Sequence, residues 1–290
     1  MKKLLLTLLF IVPVYLLSGC QAQQEKCDIA ATTLPVYEFT AYLCDGTDLQ
    51  VRQIVNQNVS CLHDYTLQSS QMRIIENADT LVISGVGLED FLKDVLSDKN
   101  AVIDASVNID LHCGSESEHS HDHNHEEDPH IWLSPKNAKI MANNICKKLI
   151  QIYPQYTDIF SANFTSLAED FDALQAYGDD TLSQLTCREL ITFHDGFSYF
   201  ADAFDLNILK AIEEDSGSEA SAAELKELIE LTESHNLPAI FTETNGSDSS
   251  AKTISAETGV SIYTLNMVMS GENYFDIMYR NIETIKEALG

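Results

Sequence analysis

Eight of the nine histidines of this chain fall into two groups. His119, His121, His123 and His125 alternate with polar and acidic residues, and His112 lies just before them. His63, His130 and His194 instead stand far apart in sequence, each beside a passage between a strand and a loop. Neutral imidazole is the commonest protein ligand for a borderline divalent cation such as zinc. Three such rings gathered by a fold would make most of a metal site. One histidine in such a context is more often an ordinary core or surface residue; three in corresponding contexts reverse that preference.

The elements that must position these rings can be read from pattern. Residues 28–33 form a strand, and Pro35 opens a helix through Ala41 to Leu43, since proline is tolerated in a first helical turn. Residues 51–55 form a second strand, whose loop carries His63. Leu67, Met72 and Ile75 lie on a helix reaching Asn77, residues 80–84 form a short strand broken by Gly85 and Gly87, residues 88–96 a helix and residues 101–104 another strand. After Arg188 the alternation returns. Residues 189–193 form a strand that delivers His194, and residues 206–212 another; Ser221-Ala222-Ala223-Glu224 is a capping box opening a helix toward His235. A strand at 239–242 ends at Glu243, a last strand spans 260–265, and a helix from Tyr274 to Leu289 closes the chain.

Between these halves, Met141, Ile145, Leu149 and Ile152 make an apolar stripe that Pro154 kinks or breaks, and Phe160, Phe164, Leu167, Phe171 and Leu174 resume it. The aromatics of that stripe are packing residues rather than a ligand box. The expected fold is therefore α/β: two lobes, each with a mainly parallel sheet flanked by helices, joined by a long helical spine. The expected division is a signal peptide at 1–19, an N-terminal lobe at 20–134, a linking helical region at 135–178 and a C-terminal lobe at 179–290. In open α/β sheets ligands bind beyond the carboxyl ends of the strands. His63 and His194 follow strands, and His130 leads out of the first lobe, so all three are expected at the cleft between lobes.

A formal net charge of -28 argues against a nucleic-acid partner and concentrates cations near the surface. With 44% apolar residues the chain can still build cores. At the N-terminus, Lys2 and Lys3 precede an apolar run from Leu4 to Leu17, then Ser18-Gly19-Cys20. That is the pattern of a secretory signal ending in a bacterial lipobox, with cleavage before Cys20 and lipid on its thiol. The run is short for a transmembrane helix. Export permits disulfides among Cys27, Cys44, Cys61, Cys113, Cys146 and Cys187, and sequence cannot choose among the pairings. Residues 106–128 are poor in apolar side chains and are expected to be a mobile, acidic, His-rich surface loop that captures metal transiently through His112, His119, His121, His123 and His125.

Five segments in order, His63-Asp64-Tyr65, Ile75-Glu76-Asn77-Ala78-Asp79, Gly87-Leu88-Glu89, Asp128-Pro129-His130-Ile131-Trp132-Leu133 and His194-Asp195-Gly196-Phe197-Ser198-Tyr199-Phe200, resemble the marks of the zinc/manganese solute-binding proteins of ABC importers. The likeness runs from about Cys27 to Gly290, and only its fourth and fifth segments are specific taken singly. The resemblance implies two α/β lobes joined by a rigid long helix, a metal held between them by His63, His130 and His194, and a membrane permease as partner. Manganese-type members tend to have a carboxylate where His194 stands, and three nitrogen donors suit Zn(II) better than Mn(II), although copper and nickel also bind such sites in vitro. The family often offers an Asp or a Glu as fourth ligand. Here Asn266 stands in place of the Asp and Met269 about where the Glu would be, so water is the expected fourth ligand, with Asn266, Glu243 and Glu272 as weaker candidates.

The resulting expectation is a monomeric extracytoplasmic lipoprotein that captures Zn(II) and delivers it to an ABC importer, with no catalytic step. Two alternatives stand beside it. Three histidines and a water are also the form of a catalytic zinc site, but a hydrolase needs a general base, and neither a His-Glu-x-x-His helix nor a Gly-x-Ser-x-Gly elbow occurs. A surface metal-scavenging adhesin is the other.

Overall fold

The computed structural model describes residues 26–56, 62, 65–96, 101–112, 127–213, 220–244, 246–269 and 271–290. The N-terminal lobe runs β1 (Ile29–Ala31), α1 (Leu34–Leu43), β2 (Val51–Gln53), α2 (Ser69–Asn77), β3 (Thr80–Ile83), a single 3-10 turn, α3 (Lys93–Leu96) and β4 (Val102–Asp104). Two helices follow, α4 (Pro135–Ile152) and α5 (Thr157–Thr181). The C-terminal lobe comprises β5 (Glu189–His194), α6 (Ser198–Ala203), β6 (Asn207–Glu213), α7 (Ala222–Ser234), β7 (Ala239–Glu243), α8 (Ser249–Thr258), β8 (Ser261–Leu265) and α9 (Tyr274–Leu289).

Each lobe holds a four-stranded sheet, and every strand pair is parallel. The orders, β2-β1-β3-β4 and β6-β5-β7-β8, are the same topology used twice. Strands β1, β3, β5 and β7 are buried on both faces and read as continuous apolar runs, as parallel strands under helices on both sides must. The edge strand β4 alternates exposed and buried residues instead. In both sheets the chain reverses direction of travel after the second strand, so a crevice opens between β1 and β3 and another between β5 and β7.

Local chemistry sets the helix ends. Pro35 sits in the first turn of α1. Ser221 Oγ accepts from Glu224 N at 3.3 Å while the Glu224 carboxylate accepts from Ser221 N at 2.6 Å, the expected capping box. Gly259, at φ 79°, stops α8 in the left-handed conformation that glycine adopts at least cost.

The two apolar stripes of the central region do not make one continuous rod. Tyr153 and Pro154 break the helix, and α5 packs back along α4. α4 belongs to the first lobe, against α1 and β4, and α5 reaches both α1 and α9. At 1.5 Å per residue its 25 residues span about 37 Å, enough to bridge two lobes. Phe39 of α1, Phe171 of α5 and Tyr274 of α9 meet edge to face, with ring centroids 5.0 to 5.8 Å apart. Such pairs are worth about 0.5–1.5 kcal/mol each beyond the area they bury, and here they lock the spine to both lobes. One apolar cluster accordingly runs from the first lobe through the spine into the second; a smaller one, around Ile191, Phe193, Leu228, Ile240 and Ile254, packs beneath α7 and α8.

Some boundaries differ from the sequence reading. The 88–96 helix is a 3-10 turn continued by a single α-helical turn, because Gly87, at φ 76°, delays its start. α6 and α8 were not legible. α8 buries only Ser250, Ala251 and Ile254, which makes no apolar stripe. No helix among the described residues is long and apolar enough to cross a membrane.

Candidate metal centre

His194 is the last residue of β5 and is buried with the rest of that strand. β5 pairs with β7 through Thr192 and Phe241, so two residues further on His194 and Glu243 leave neighbouring strands on either side of the C-terminal crevice. His130 approaches from the segment between the loop and α4. It caps the 3-10 turn Ile131–Leu133, whose three residues are fully buried and fix the backbone. The two rings meet at right angles, with centroids 5.1 Å apart and an interplanar angle of 88°.

Asp128 sets the orientation of His130. Its Oδ1 accepts from His130 N at 2.9 Å and lies 2.8 Å from His130 Nδ1; its Oδ2 accepts from the Ser198 hydroxyl. A carboxylate on Nδ1 keeps the proton there and leaves Nε2 as the lone-pair donor, which is how metal-ligating histidines are commonly held. Burial alone would raise the Asp128 carboxyl, but the hydrogen bonds and charge of His130 and the Ser198 bond outweigh it and hold it below the usual carboxylate value. Acidification through that depressed value removes the anchor.

Gly196 is the smallest wall of the site. A Cβ there would lie 2.5 Å from Met267 Cε, 2.7 Å from His130 Nδ1 and 2.8 Å from His194 Cδ2, so only glycine fits. Met267 is itself held from outside the crevice: Trp132 Nε1 donates to Met267 O at 2.9 Å, and the Tyr274 hydroxyl donates to Trp132 O at 2.7 Å. These long-range contacts, with Ser198 on Asp128, tie the second lobe to the segment carrying His130.

The sequence-derived candidates divide as follows. His130 and His194 are brought together. His63 lies outside the described residues, as do His119, His121, His123 and His125. Among the described residues no group of three or more His, Cys, Asp or Glu side chains is gathered as a metal site. Asn266 turns its side chain back on its own loop: its Oδ1 accepts from Val268 N at 2.8 Å, and its backbone is held by Asn281 through N and O. Glu243 is half-buried at the end of β7, packed against Gly246. Glu272 pairs with Arg280 at the surface. Met269 is buried, but Met267 is the methionine beside the imidazoles. His112, grouped with the loop histidines on sequence, is packed at the loop's root. Its ring stacks on Tyr199 at 4.3 Å and 12°, its N donates to the Tyr199 hydroxyl at 3.0 Å, and its Nε2 lies 3.3 Å from the Asp202 carboxylate. Asp128 N donates to His112 O, which closes the loop's two ends.

Sequence reasoning missed the roles of Ser198, Gly196 and Met267. The first two sit inside the His194 motif and were visible there as letters without a partner. Met267 carried no signal, since its bond to Trp132 crosses 135 residues.

The chain is thus two parallel α/β lobes joined by a helical spine, with the imidazoles of His130 and His194 brought together beyond the end of β5. A family model described as zinc-uptake complex component A, periplasmic, matches residues 29–288, and the chain belongs to that family. It is 31% identical over 308 aligned positions to the zinc-binding lipoprotein AdcA of Streptococcus pneumoniae serotype 4, an alignment covering 99% of this chain and 61% of that protein. The chain thus spans less than two thirds of that relative's length. The crystal structure of the Zn(II)-bound ZnuA-like domain of Streptococcus pneumoniae AdcA superposes with a TM-score of 0.76 at 29% identity, covering 91% of this chain and 99% of that one. A crystal structure of ZnuA superposes with a TM-score of 0.79 at 27% identity, covering 92% and 100%.

Proposed function

We propose that this protein captures Zn(II) outside the cytoplasmic membrane, in the cleft between its lobes, and delivers it to the membrane permease of an ABC importer. The observation that carries the reading is the buried, perpendicular pair His130 and His194, with Asp128 fixing the His130 tautomer. His63 completes the ligand set, water takes the fourth position, and His119, His121, His123 and His125 capture zinc transiently. Residues 1–19 are removed, Cys20 carries the lipid that anchors the chain to the membrane, 20–134 and 179–290 are the two lobes, 135–178 links them, and the protein acts as a monomer. Support comes from the family, from the Zn(II)-bound state of a similar structure and from the nitrogen-rich donor set.

No bond is made or broken in this function. The protein supplies oriented lone pairs, and protons compete with the cargo: a protonated imidazole cannot ligate, so affinity falls as the medium is acidified. The test is growth and radiozinc uptake at limiting zinc. Cells without the gene should grow and accumulate zinc poorly, wild type should restore both, and His130→Ala should restore neither. Restoration by His130→Ala equal to wild type would overturn the reading.

A further inference from the structure

One buried amide stands at both ends of the segment that carries His63. Gln71, in the first turn of α2, is 3% exposed. Its Nε2 donates to Ile54 O at 2.8 Å, just past the end of β2, and to the Tyr65 hydroxyl at 2.5 Å, two residues beyond His63 in sequence. Its Oε1 accepts from Gln68 N at 2.8 Å, at the N-cap of α2. A side-chain amide has two donor hydrogens, and both are spent on the flanks of this one segment. The partners also fix which way the amide faces, since Ile54 O needs a donor and Gln68 N an acceptor.

Each flank is held in its own right. Ile54 N donates to Ala31 O at 2.8 Å and Val55 N to Thr32 O at 3.0 Å, so the outgoing side runs on beside β1. On the returning side Leu62 is buried, Tyr65 N donates to Leu62 O at 3.0 Å, and the Tyr65 ring packs edge to face on Phe91 with centroids 5.2 Å apart. The Gln71 amide joins the two sides. Capping α2 needs Oε1 alone, and a glutamate would serve there equally well. A residue that worked only at the helix end would have no use for the two donors. We propose that Gln71 is a positioning residue for the cargo site: by clamping Ile54 to Tyr65 it fixes where the chain presents His63 to the ion. This rests on the reading of His63 as a zinc ligand. Asp128 holds His130 directly, ring to carboxylate, whereas Gln71 acts on His63 through the backbone on either side of it.

The test is Zn(II) affinity by chelator competition on full-length protein, in the wild-type and the His63→Ala backgrounds. Gln71→Glu keeps an acceptor for Gln68 N and removes both donors. Tyr65→Phe removes one partner of the clamp and decides the matter should Gln71→Glu not fold. Gln71→Glu should weaken Zn(II) binding about tenfold, the lower end of what the loss of a ligand's supporting residue costs, and Tyr65→Phe should act in the same direction by less. With His63 already replaced, neither change should weaken binding further, because residues that act through one another are not additive. Wild-type affinity in both variants overturns the proposal. So does a loss of the same size without His63, which would mean a general loosening of the lobe. If His63→Ala alone binds Zn(II) like wild type, the reading of His63 as a ligand fails, and the clamp's role in binding falls with it.

Discussion

The crevices of the two sheets have the same topology and opposite chemistry. In the N-terminal lobe, between β1 and β3, a buried carboxylate fills the crevice. Glu89 accepts from Thr32 Oγ1 at 2.6 Å, Ser84 N at 2.7 Å and Gly85 N at 3.1 Å. Every one of those donors lies just past the carboxyl end of β1 or β3, so the lobe closes on itself. In the C-terminal lobe, between β5 and β7, the residues at the strand ends are His194 and Glu243, and the near neighbour is His130 from across the cleft. One crevice is occupied by the protein's own carboxylate, whereas at the other the ring of His194 meets the ring of His130. A crevice of this kind becomes a binding site only where the fold does not already fill it.

Replacing the groups on the second side should therefore change metal binding, and replacing those on the first should change stability alone. The largest effect belongs to His130→Ala and His194→Ala. Each should weaken Zn(II) binding, measured by chelator competition, beyond the roughly 10- to 100-fold range typical of a residue that only supports a ligand. Asp128→Ala should fall within that range of about 10- to 100-fold, because the ring remains but loses its fixed tautomer. Zinc affinity unchanged in Asp128→Ala would separate the Asp128–His130 contact from metal binding.

Glu89 should behave differently. Burial pushes its carboxyl up to about 7 from 4.5, against the pull of its hydrogen bonds to Thr32, Ser84 and Gly85. The folded chain thus holds this proton more tightly than the unfolded chain does. The stability this contributes is complete below the unfolded value and is lost as pH rises through the folded one. Between pH values of about 5 and 8 the melting temperature of wild type should fall relative to that of Glu89→Gln, by several degrees, with zinc affinity nearly unchanged. A parallel pH dependence in the two proteins would show that Glu89 stays ionised throughout. The smallest effect is expected at Ser221→Ala, remote from both crevices: loss of the α7 capping box should cost about 1 kcal/mol in a denaturant melt and leave zinc binding untouched.

What sequence could reveal followed the range of the interaction. The capping box at Ser221, the proline at the start of α1 and the delivery of His194 by β5 are set within a few residues, and all were legible. The stripes at Met141–Ile152 and Phe160–Leu174 were legible as apolar faces, but not as a hairpin, since nothing local says that α5 folds back on α4. α8 was missed because small residues make its buried face. At the site, His130 and His194 announced themselves by type, and His194 also by its place at the end of a strand. The wall around them did not: Trp132 reaches Met267 across 135 residues, and Ser198 reaches Asp128 across 70. Glu89 was seen only as part of a weak motif, because its burial depends on three donors that no periodicity links.

The convergence of His63, His130 and His194 on a single ion is tested most directly by zinc K-edge X-ray absorption. The sample is full-length protein in which His119, His121, His123 and His125 are replaced by alanine, loaded with one equivalent of Zn(II). About three imidazole nitrogens at roughly 2.0–2.1 Å are expected, with one lost when His63 is also replaced by alanine. A first shell that stays the same without His63, or that lacks imidazole scattering altogether, would contradict the three-histidine centre.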